Sequence, residues 1–375
     1  MTSETPIRAL FVRREPLLFV RCMFVLCLIT TLGCGGDKKK SEPSPDAAVP
    51  QRDAAVAPMD ASSLPDATAP REDASVEAGT TDAGRDAALD PPDAMVEPPL
   101  DCDNLPEGPV PYKVVKGPQA AEDFAFDKYG NLWSVDSSGN LTTTAASEEP
   151  KLRIPGVASG FVSGTRLIPS GDLIINDSSS VTRFSPTGGK TVLATGLSYP
   201  NGMAIGEDGW AYVAEQEGNR VVRIHPTTKK KQLVAKGIKY ANGLSFSPDY
   251  KRLYVGGFGT GKIMVVDVLG DGMWSQPVVF AEDIGNGSLD GMGVDACGNV
   301  YVAEYVAAVL WRISPDGQTK TAMADMSKHT GWIPNMNWGG GEGWDRGILY
   351  VSDRSENQVY AVEVGVPGKK EPHLP

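Results

Sequence analysis

Asp290-Gly291-Met292-Gly293-Val294-Asp295-Ala296-Cys297-Gly298-Asn299-Val300-Tyr301 is one copy of a pattern that recurs along the chain. Glu122-Asp123-Phe124-Ala125-Phe126-Asp127-Lys128-Tyr129-Gly130-Asn131-Leu132-Trp133 keeps the same spacing. So does Asn201-Gly202-Met203-Ala204-Ile205-Gly206-Glu207-Asp208-Gly209-Trp210-Ala211-Tyr212. In each copy a polar residue opens an alternating strand, a turn glycine follows eight residues later, and an aromatic follows eleven residues later. Ser163, Gly171 and Ile174 hold the same offsets. Asn242 to Tyr254 has one extra residue, in the turn Ser247-Pro248-Asp249-Tyr250. A sixth copy opens at Pro334-Asn335 and reaches Tyr350 after a glycine-rich insertion, Gly339 to Trp344. The six openings lie 41, 38, 41, 48 and 45 residues apart.

Each unit continues into further short β-branched segments, such as Arg220–Ile224 and Lys231–Ala235. Four short strands in about 40 residues, joined by Gly and Pro-Asp turns, are the pattern of a propeller blade. The predicted fold class is therefore all-β, a six-bladed β-propeller with four-stranded blades. The Gly-His and Trp-Asp signatures of WD40 repeats are absent, and a β-sandwich or solenoid is the competing architecture. The chain ends three strands into the last unit, around Gln358–Val364, and a lone strand, Tyr112–Lys116, precedes the first opening. That strand is expected to become the outer strand of the sixth blade and close the ring.

Ahead of the repeats the composition changes twice. Residues 1–34 carry Arg8, Arg13, Arg14 and Arg21 and an apolar run from Met23 to Leu32, which reads as an export signal too short to span a bilayer stably. It ends in Thr31-Leu32-Gly33-Cys34, which resembles the bacterial lipobox, although Leu stands two residues before the Cys rather than three. Cys34 is the expected lipidation site; an ordinary signal peptide with an incidental Cys is the alternative. Gly35 in place of Asp resembles sorting to an outer membrane. Residues 35–100 then repeat Asp-Ala eight times among ten prolines, with no aromatic residue. Such a stretch cannot bury enough apolar surface to offset its ordering entropy, so a disordered linker is expected. The propeller is assigned to 101–375. The expected partners are a membrane, through the N-terminal lipid anchor, and a small-molecule substrate, for a monomer with its globular part in the periplasm or outside the cell.

Of the net charge of −12, the 35–100 segment alone contributes −8. An acidic chain is a poor partner for nucleic acid, and no nucleic-acid binding is expected. No Gly-x-Ser-x-Gly elbow, P-loop or dinucleotide fingerprint occurs in a strand–helix context. Once a lipidated signal is removed, Cys102 and Cys297 remain as an even pair in an oxidising compartment, so a disulfide is expected, with two free thiols as the alternative.

First strands of propeller blades line the central channel, so the six openings converge on one end of it. They hold Glu122, Ser163, Asn201, Asn242, Asp290 and Asn335. Hard-oxygen donors gathered on one axis suit Ca²⁺ or a similar divalent ion. The chain has three His and none stands at an opening, which disfavours a site built for zinc or iron. Ca²⁺ is the expected cofactor, with Mn²⁺, Mg²⁺ or Zn²⁺ as alternatives. The plain structural alternative is that Asn201-Gly202, Asn242-Gly243 and Asp290-Gly291 are repeated turns. A second periodic set, Asp136, Asp177, Glu215, Glu304 and Asp353 with Gly257 in the remaining blade, is near-uniform and reads as blade-capping hydrogen-bond acceptors.

Glu122, Asn201, the run Tyr240-Ala241-Asn242-Gly243-Leu244-Ser245-Phe246-Ser247-Pro248-Asp249 and Leu289–Asp295 together carry a family resemblance. Over about 110–368 the chain resembles the senescence-marker-protein/gluconolactonase/luciferin-regenerating-enzyme group of six-bladed propellers. The resemblance implies Glu122, Asn242 and Asp290 as metal ligands, with Asn201 as a ligand through water or a substrate contact. It implies Asp290 as the general base of a metal-dependent hydrolysis of lactones or esters. The group's substrate-gripping Arg, two residues before the first channel Asn, is Tyr199 here, which puts sugar-lactone specificity in doubt. Asn335, Trp332 and His329 are further candidates for substrate contact, with Asn337 and Trp338 on a segment that could cover the channel mouth. His329 reads more readily as a surface residue than as a rim contact, Trp332 and Trp338 could equally be core, His225 reads as a turn residue, and Lys229–Lys231 as a solvated turn. Two other readings stay open: a scaffold propeller whose metal only pins the channel, and a strictosidine-synthase-like lyase or synthase.

Overall fold

The computed structural model describes residues 100–158, 162–270 and 272–374. The expected leader, Cys34 and the linker up to residue 99 lie outside the described residues. Among the described residues no helix is long and apolar enough to cross a membrane. The strands form six antiparallel sheets, as the repeat predicts. Innermost in the six blades are Phe124–Phe126, Val162–Leu167, Pro200–Ile205, Ala241–Phe246, Leu289–Val294 and Met336–Trp338. Each of these touches its neighbour around a closed ring.

The repeat pattern is one hydrogen-bonded unit. Asp127 Oδ1 accepts the backbone N–H groups of Tyr129 and Asn131, at 2.9 Å each. Its Oδ2 accepts Asn131 Nδ2 at 2.9 Å and Trp133 Nε1 at 2.8 Å, so the aromatic eleven residues after Glu122 locks the turn. Asp295 holds Cys297 and Asn299 in the same way. Gly130 and Gly298 supply the left-handed φ, +78° and +88°, that such turns need.

Apolar residues between these turns bury both faces of each sheet. The core is accordingly divided among six clusters, one at each interface between neighbouring blades. At the closing interface Phe124, Phe126 and Leu132 of the first blade pack on Trp344, Tyr350 and Val359 of the sixth. Ring closure follows the expectation. Tyr112–Val114 pairs with Gln358–Val362, Tyr112 opposite Val362, and is the outer strand of the sixth blade. The fourth blade carries an extra short strand, Met273–Trp274, beside Lys262–Gly270, which accounts for the long 48-residue spacing there.

Cys102 and Cys297 are bridged, 195 residues apart in sequence. The bridge ties the segment leading into the closing strand to the Asp295–Gly298 turn of the fifth blade, next to Val110 N–H donating to Met323 O. A crosslink that closes so long a loop restricts the unfolded chain far more than the folded one. Replacing both cysteines by Ser should therefore lower the unfolding free energy by about 2–5 kcal/mol. Urea unfolding of the oxidised wild type and the double variant measures this; equal midpoints would refute it.

Candidate functional site

Four inner strands break register with their neighbours at the end of the channel where the openings lie. The shifts fall between Val162 and Gly164, Pro200 and Met203, Ala241 and Leu244, and Leu289 and Met292. Asn201-Gly202, Asn242-Gly243 and Asp290-Gly291 are thus bulged positions within inner strands rather than hairpin turns. A bulge re-aims the side chain it carries. The glycines are there for space. A Cβ on Gly202 would overlap the carbonyl oxygen of Asn242, one on Gly243 the carbonyl oxygen of Asp290, and one on Gly291 the body of Asn335. Each bulge therefore docks against the opening residue of the next blade, and Gly291 N–H also donates to Pro334 O at 2.7 Å.

This docking gathers Glu122, Asn242 and Asp290, which are 9%, 2% and 7% exposed. The Asn242 carboxamide is in hydrogen-bonding reach of the Asp290 carboxylate. Its Oδ1 is buried without a hydrogen-bond partner, a costly state for a carbonyl oxygen. Burial pushes the Asp290 carboxyl up to about 7, with Arg354 and Asn242 working against that rise. Burial first, and then the Asp290 charge, hold Glu122 well above the usual carboxylate range. Arg354 offsets part of this, with its Nη1 2.9 Å from Glu122 Oε2. Two like charges out of water and an unsatisfied carbonyl oxygen make a donor set that a hard divalent cation would satisfy. Among the described residues no group of three or more His, Cys, Asp and Glu gathers to hold a metal, so carboxamide oxygen is a necessary part of any such set.

The other openings are spent differently. Asn201 donates Nδ2 to Gln216 Oε1 at 2.7 Å, and its backbone carbonyl accepts Asn176 Nδ2, so it flanks the cluster with its carboxamide fixed by Gln216. Ser163 Oγ donates to Pro200 O at 2.7 Å. Asn335 corrects an expectation in part: its Oδ1 accepts the backbone N–H of Met336 at 2.9 Å, and it is 3% exposed, so that oxygen props its own strand.

His329 is a second correction. Its ring packs edge-on against Tyr112, on the outermost strand of the sixth blade, away from the channel. Trp332 does reach the mouth: it is 43% exposed, stacks on Tyr305 with centroids 5.9 Å apart, and accepts the Arg354 backbone N–H on its carbonyl. The glycine-rich segment is a third correction. It follows the inner strand Met336–Trp338 and packs on the Asp127–Gly130 turn, with Trp344 Nε1 donating to Gly130 O at 2.8 Å, so it lies at the opposite end of the channel. Asn337 donates to Phe124 O and Trp338 to Val366 O, both as structural contacts. A cavity at that far end is lined by Phe126, Met203, Leu244 and Met336 and by Lys369 and His373 of the C-terminal tail. It is separate from the carboxylate cluster. His225 accepts backbone N–H groups of Thr227 and Thr228, the turn role expected of it.

The periodic acidic set caps blades as expected. Asp353 accepts Ser355 N–H at 2.8 Å, Glu304 accepts Trp311 Nε1 at 2.8 Å, and Asp136 accepts Ser138 N–H at 2.8 Å. The residues directly after the caps escaped sequence reasoning. Gln216 follows Glu215 and Arg354 follows Asp353, and both touch an opening residue. Their offset from the caps was the available signal.

The family model for the SMP-30/gluconolactonase/LRE-like region matches residues 127–355. A 6-deoxy-6-sulfogluconolactonase of Pseudomonas putida is 28% identical over 174 residues, which are 42% of this chain and 57% of that relative. The chain thus spans little more than half of that relative's length. Among solved structures, a calcium-binding protein, regucalcin, of Agrobacterium tumefaciens superposes with a TM-score of 0.58 at 17% identity, covering 71% of this chain and 98% of that one. A gluconolactonase of Xanthomonas campestris gives 0.56 at 18%, covering 72% and 97%. At these identities the superpositions establish a common fold.

Two outcomes follow from the geometry. Gly243→Ala should cost about 1–3 kcal/mol, because backbone must move to admit the Cβ, whereas Gly189→Ala, where the added Cβ meets only Ser185 at 3.5 Å, should be near neutral in the same urea titration. The second concerns pH. An acid whose folded-state value is raised stabilises the fold in full below its unfolded value and loses that contribution as pH climbs through the folded one. With Asp290 raised from 3.8 to about 7, chelator-treated wild type should match Asp290→Asn in melting temperature at pH 4 and fall below it by pH 8. Parallel curves across that range would refute the buried, uncompensated carboxyl.

Proposed function

The chain belongs to the SMP-30/gluconolactonase/LRE-like family, and on that footing we propose that it is a metal-dependent hydrolase of lactones or lactone-like esters. The site is the Glu122–Asn242–Asp290 cluster at the channel mouth. The carrying observation is the buried, partnerless Oδ1 of Asn242 beside Asp290, whose carboxyl, like that of its electrostatic neighbour Glu122, has a raised affinity for protons. Calcium is the preferred ion for these oxygen donors, and the named activity of the Pseudomonas putida relative supports a lactone as substrate. When bound there, a divalent cation polarises the acyl carbonyl and offsets developing negative charge on its oxygen.

The chain's own residues supply the rest. Asp290 is the carboxylate that takes a proton from the attacking water. Water oxygen bonds to the acyl carbon, the ring C–O bond breaks, and the proton held on Asp290 passes to the departing alkoxide, giving a hydroxy acid. Glu122, Asn242 and Asp290 would hold the cation, and Asn201 is kept in place by Gln216. Location is part of the proposal: export with a lipid on Cys34 and a 35–100 spacer, a compartment in which the Cys102–Cys297 bridge would persist.

The test is hydrolysis of a lactone and aryl-ester panel by the purified protein with Ca²⁺, Mn²⁺ or Zn²⁺ and after chelation. Stimulation by a divalent ion is expected, with Asp290→Ala lowering kcat/KM by about 10²–10⁴-fold. Glu122→Gln should weaken Ca²⁺ binding in calorimetry while leaving the circular dichroism spectrum unchanged. No turnover across the panel, with Ca²⁺ still bound, would replace the enzyme with a scaffold propeller.

A further inference from the structure

The residues that follow the blade caps build the wall of the mouth. Gln216, Phe258, Tyr305 and Arg354 each donate a backbone N–H to the segment entering their own blade, on Tyr199, Tyr240, Ser288 and Trp332 respectively. They occupy equivalent places in four successive blades, yet they comprise one amide, two aromatics and one guanidinium. Phe258 packs on Tyr305 with centroids 6.2 Å apart, and Tyr305 stacks nearly parallel to Trp332, at an interplanar angle of 12°. Tyr199 and Trp332 keep 41% and 43% of their surface open. One side of the mouth is therefore an aromatic shelf in which Tyr305 and Trp332 are stacked and Phe258 is tilted against them, and Arg354 stands where that shelf meets Glu122.

The charges decide what the shelf can receive. Farther down the channel Asp123 is paired with Arg166, while Glu122, Asp290 and Arg354 stand together at the mouth. With both carboxylates ionised, these three groups carry one net negative charge. A divalent cation held by Glu122 and Asp290 would turn this into one net positive charge. A half-buried guanidinium with a third of its side-chain surface exposed, beside planar rings, is a fork for an oxyanion.

Resting on the hydrolase reading, we propose that Arg354 is the specificity-determining residue and selects lactones or esters bearing one anionic substituent, a carboxylate or sulfonate. The ring of such a substrate lies against Tyr305 and Trp332, its anionic group on Arg354, and its acyl group over Asp290. A neutral ring of the same size leaves the positive charge of the loaded mouth without a partner.

The experiment uses the full chain with saturating Ca²⁺ and two matched pairs of probes. One pair is a sulfonate-bearing γ-lactone and its hydroxyl-bearing neutral counterpart, compared by kcat/KM. The other is the corresponding pair of cyclic ethers, which cannot be hydrolysed, compared by calorimetric Kd. Wild type should favour the anionic member of both pairs by about tenfold or more. Arg354→Gln should bring both ratios to within about twofold of one, and Arg354→Lys should retain part of the preference. Because each comparison is a ratio within one variant, a change in Ca²⁺ affinity cancels. A wild-type ratio near one, or a ratio that survives in Arg354→Gln, overturns the proposal. If neither lactone is hydrolysed but the anionic ether still binds through Arg354, the anion preference is upheld and only the hydrolase reading falls.

Discussion

Backbone-to-backbone contact between neighbouring inner strands is the constraint on which the rest of this propeller depends. At Gly202, Gly243 and Gly291 the next blade sits where a side chain would have begun. Any larger residue would force the blades apart, and protein interiors have no slack to absorb such a shift. The same contact puts Asn242 and Asp290 side by side and turns them to the channel axis from bulged positions. Close packing of the ring and assembly of the polar cluster are therefore one event, paid for by the conformational freedom that glycine loses on folding.

Electrostatics then divides the channel along its length. Asp123 and Arg166 neutralise each other in the middle, with Asp123 also accepting Thr165 N–H at 2.7 Å. At the far end the C-terminal tail docks through Ala296 N–H donating to Pro367 O and Lys369 N–H donating to Val294 O. Lys369 Nζ meets Glu371 at 2.6 Å, and His373 Nε2 lies 2.9 Å from Phe126 O. These pairs satisfy their charges internally. The mouth differs, because two buried carboxylates face one guanidinium and a carboxamide oxygen has nothing to bind. An imbalance of this kind is costly to stability, and burial without compensation is a common mark of a binding or catalytic centre.

Much of this was legible in order along the chain. Six copies of a polar opening, a turn and a second strand at near-constant spacing set the blade count, and the turns are locally hydrogen-bonded units such as Asp127 with Trp133. Closure by Tyr112–Val114 followed from a missing fourth strand, since an unpaired edge must find a partner. The six openings stood out because their blades share a backbone but not a side chain, and the family resemblance singled out Glu122, Asn242 and Asp290 among them. Two expectations failed for a common reason. His329 and the Gly339–Trp344 segment are near the mouth in sequence, and sequence proximity does not say toward which end, or which edge, a strand delivers its neighbours.

By itself, then, the sequence determined the local alternation, the turns and the number of repeats, since those are set by interactions within a dozen residues. It also determined which residue types open the blades. Only the tertiary structure decided how the openings are used: Ser163 and Asn335 turned to backbone, Asn201 held by Gln216, and Glu122 drawn into an ion pair with Arg354, 232 residues away. It alone brought the fork, the aromatic shelf and the two carboxylates to one mouth. Such partners meet through the closing of the ring, and the energy of a buried charge depends on everything within a few ångströms, whatever its distance along the chain.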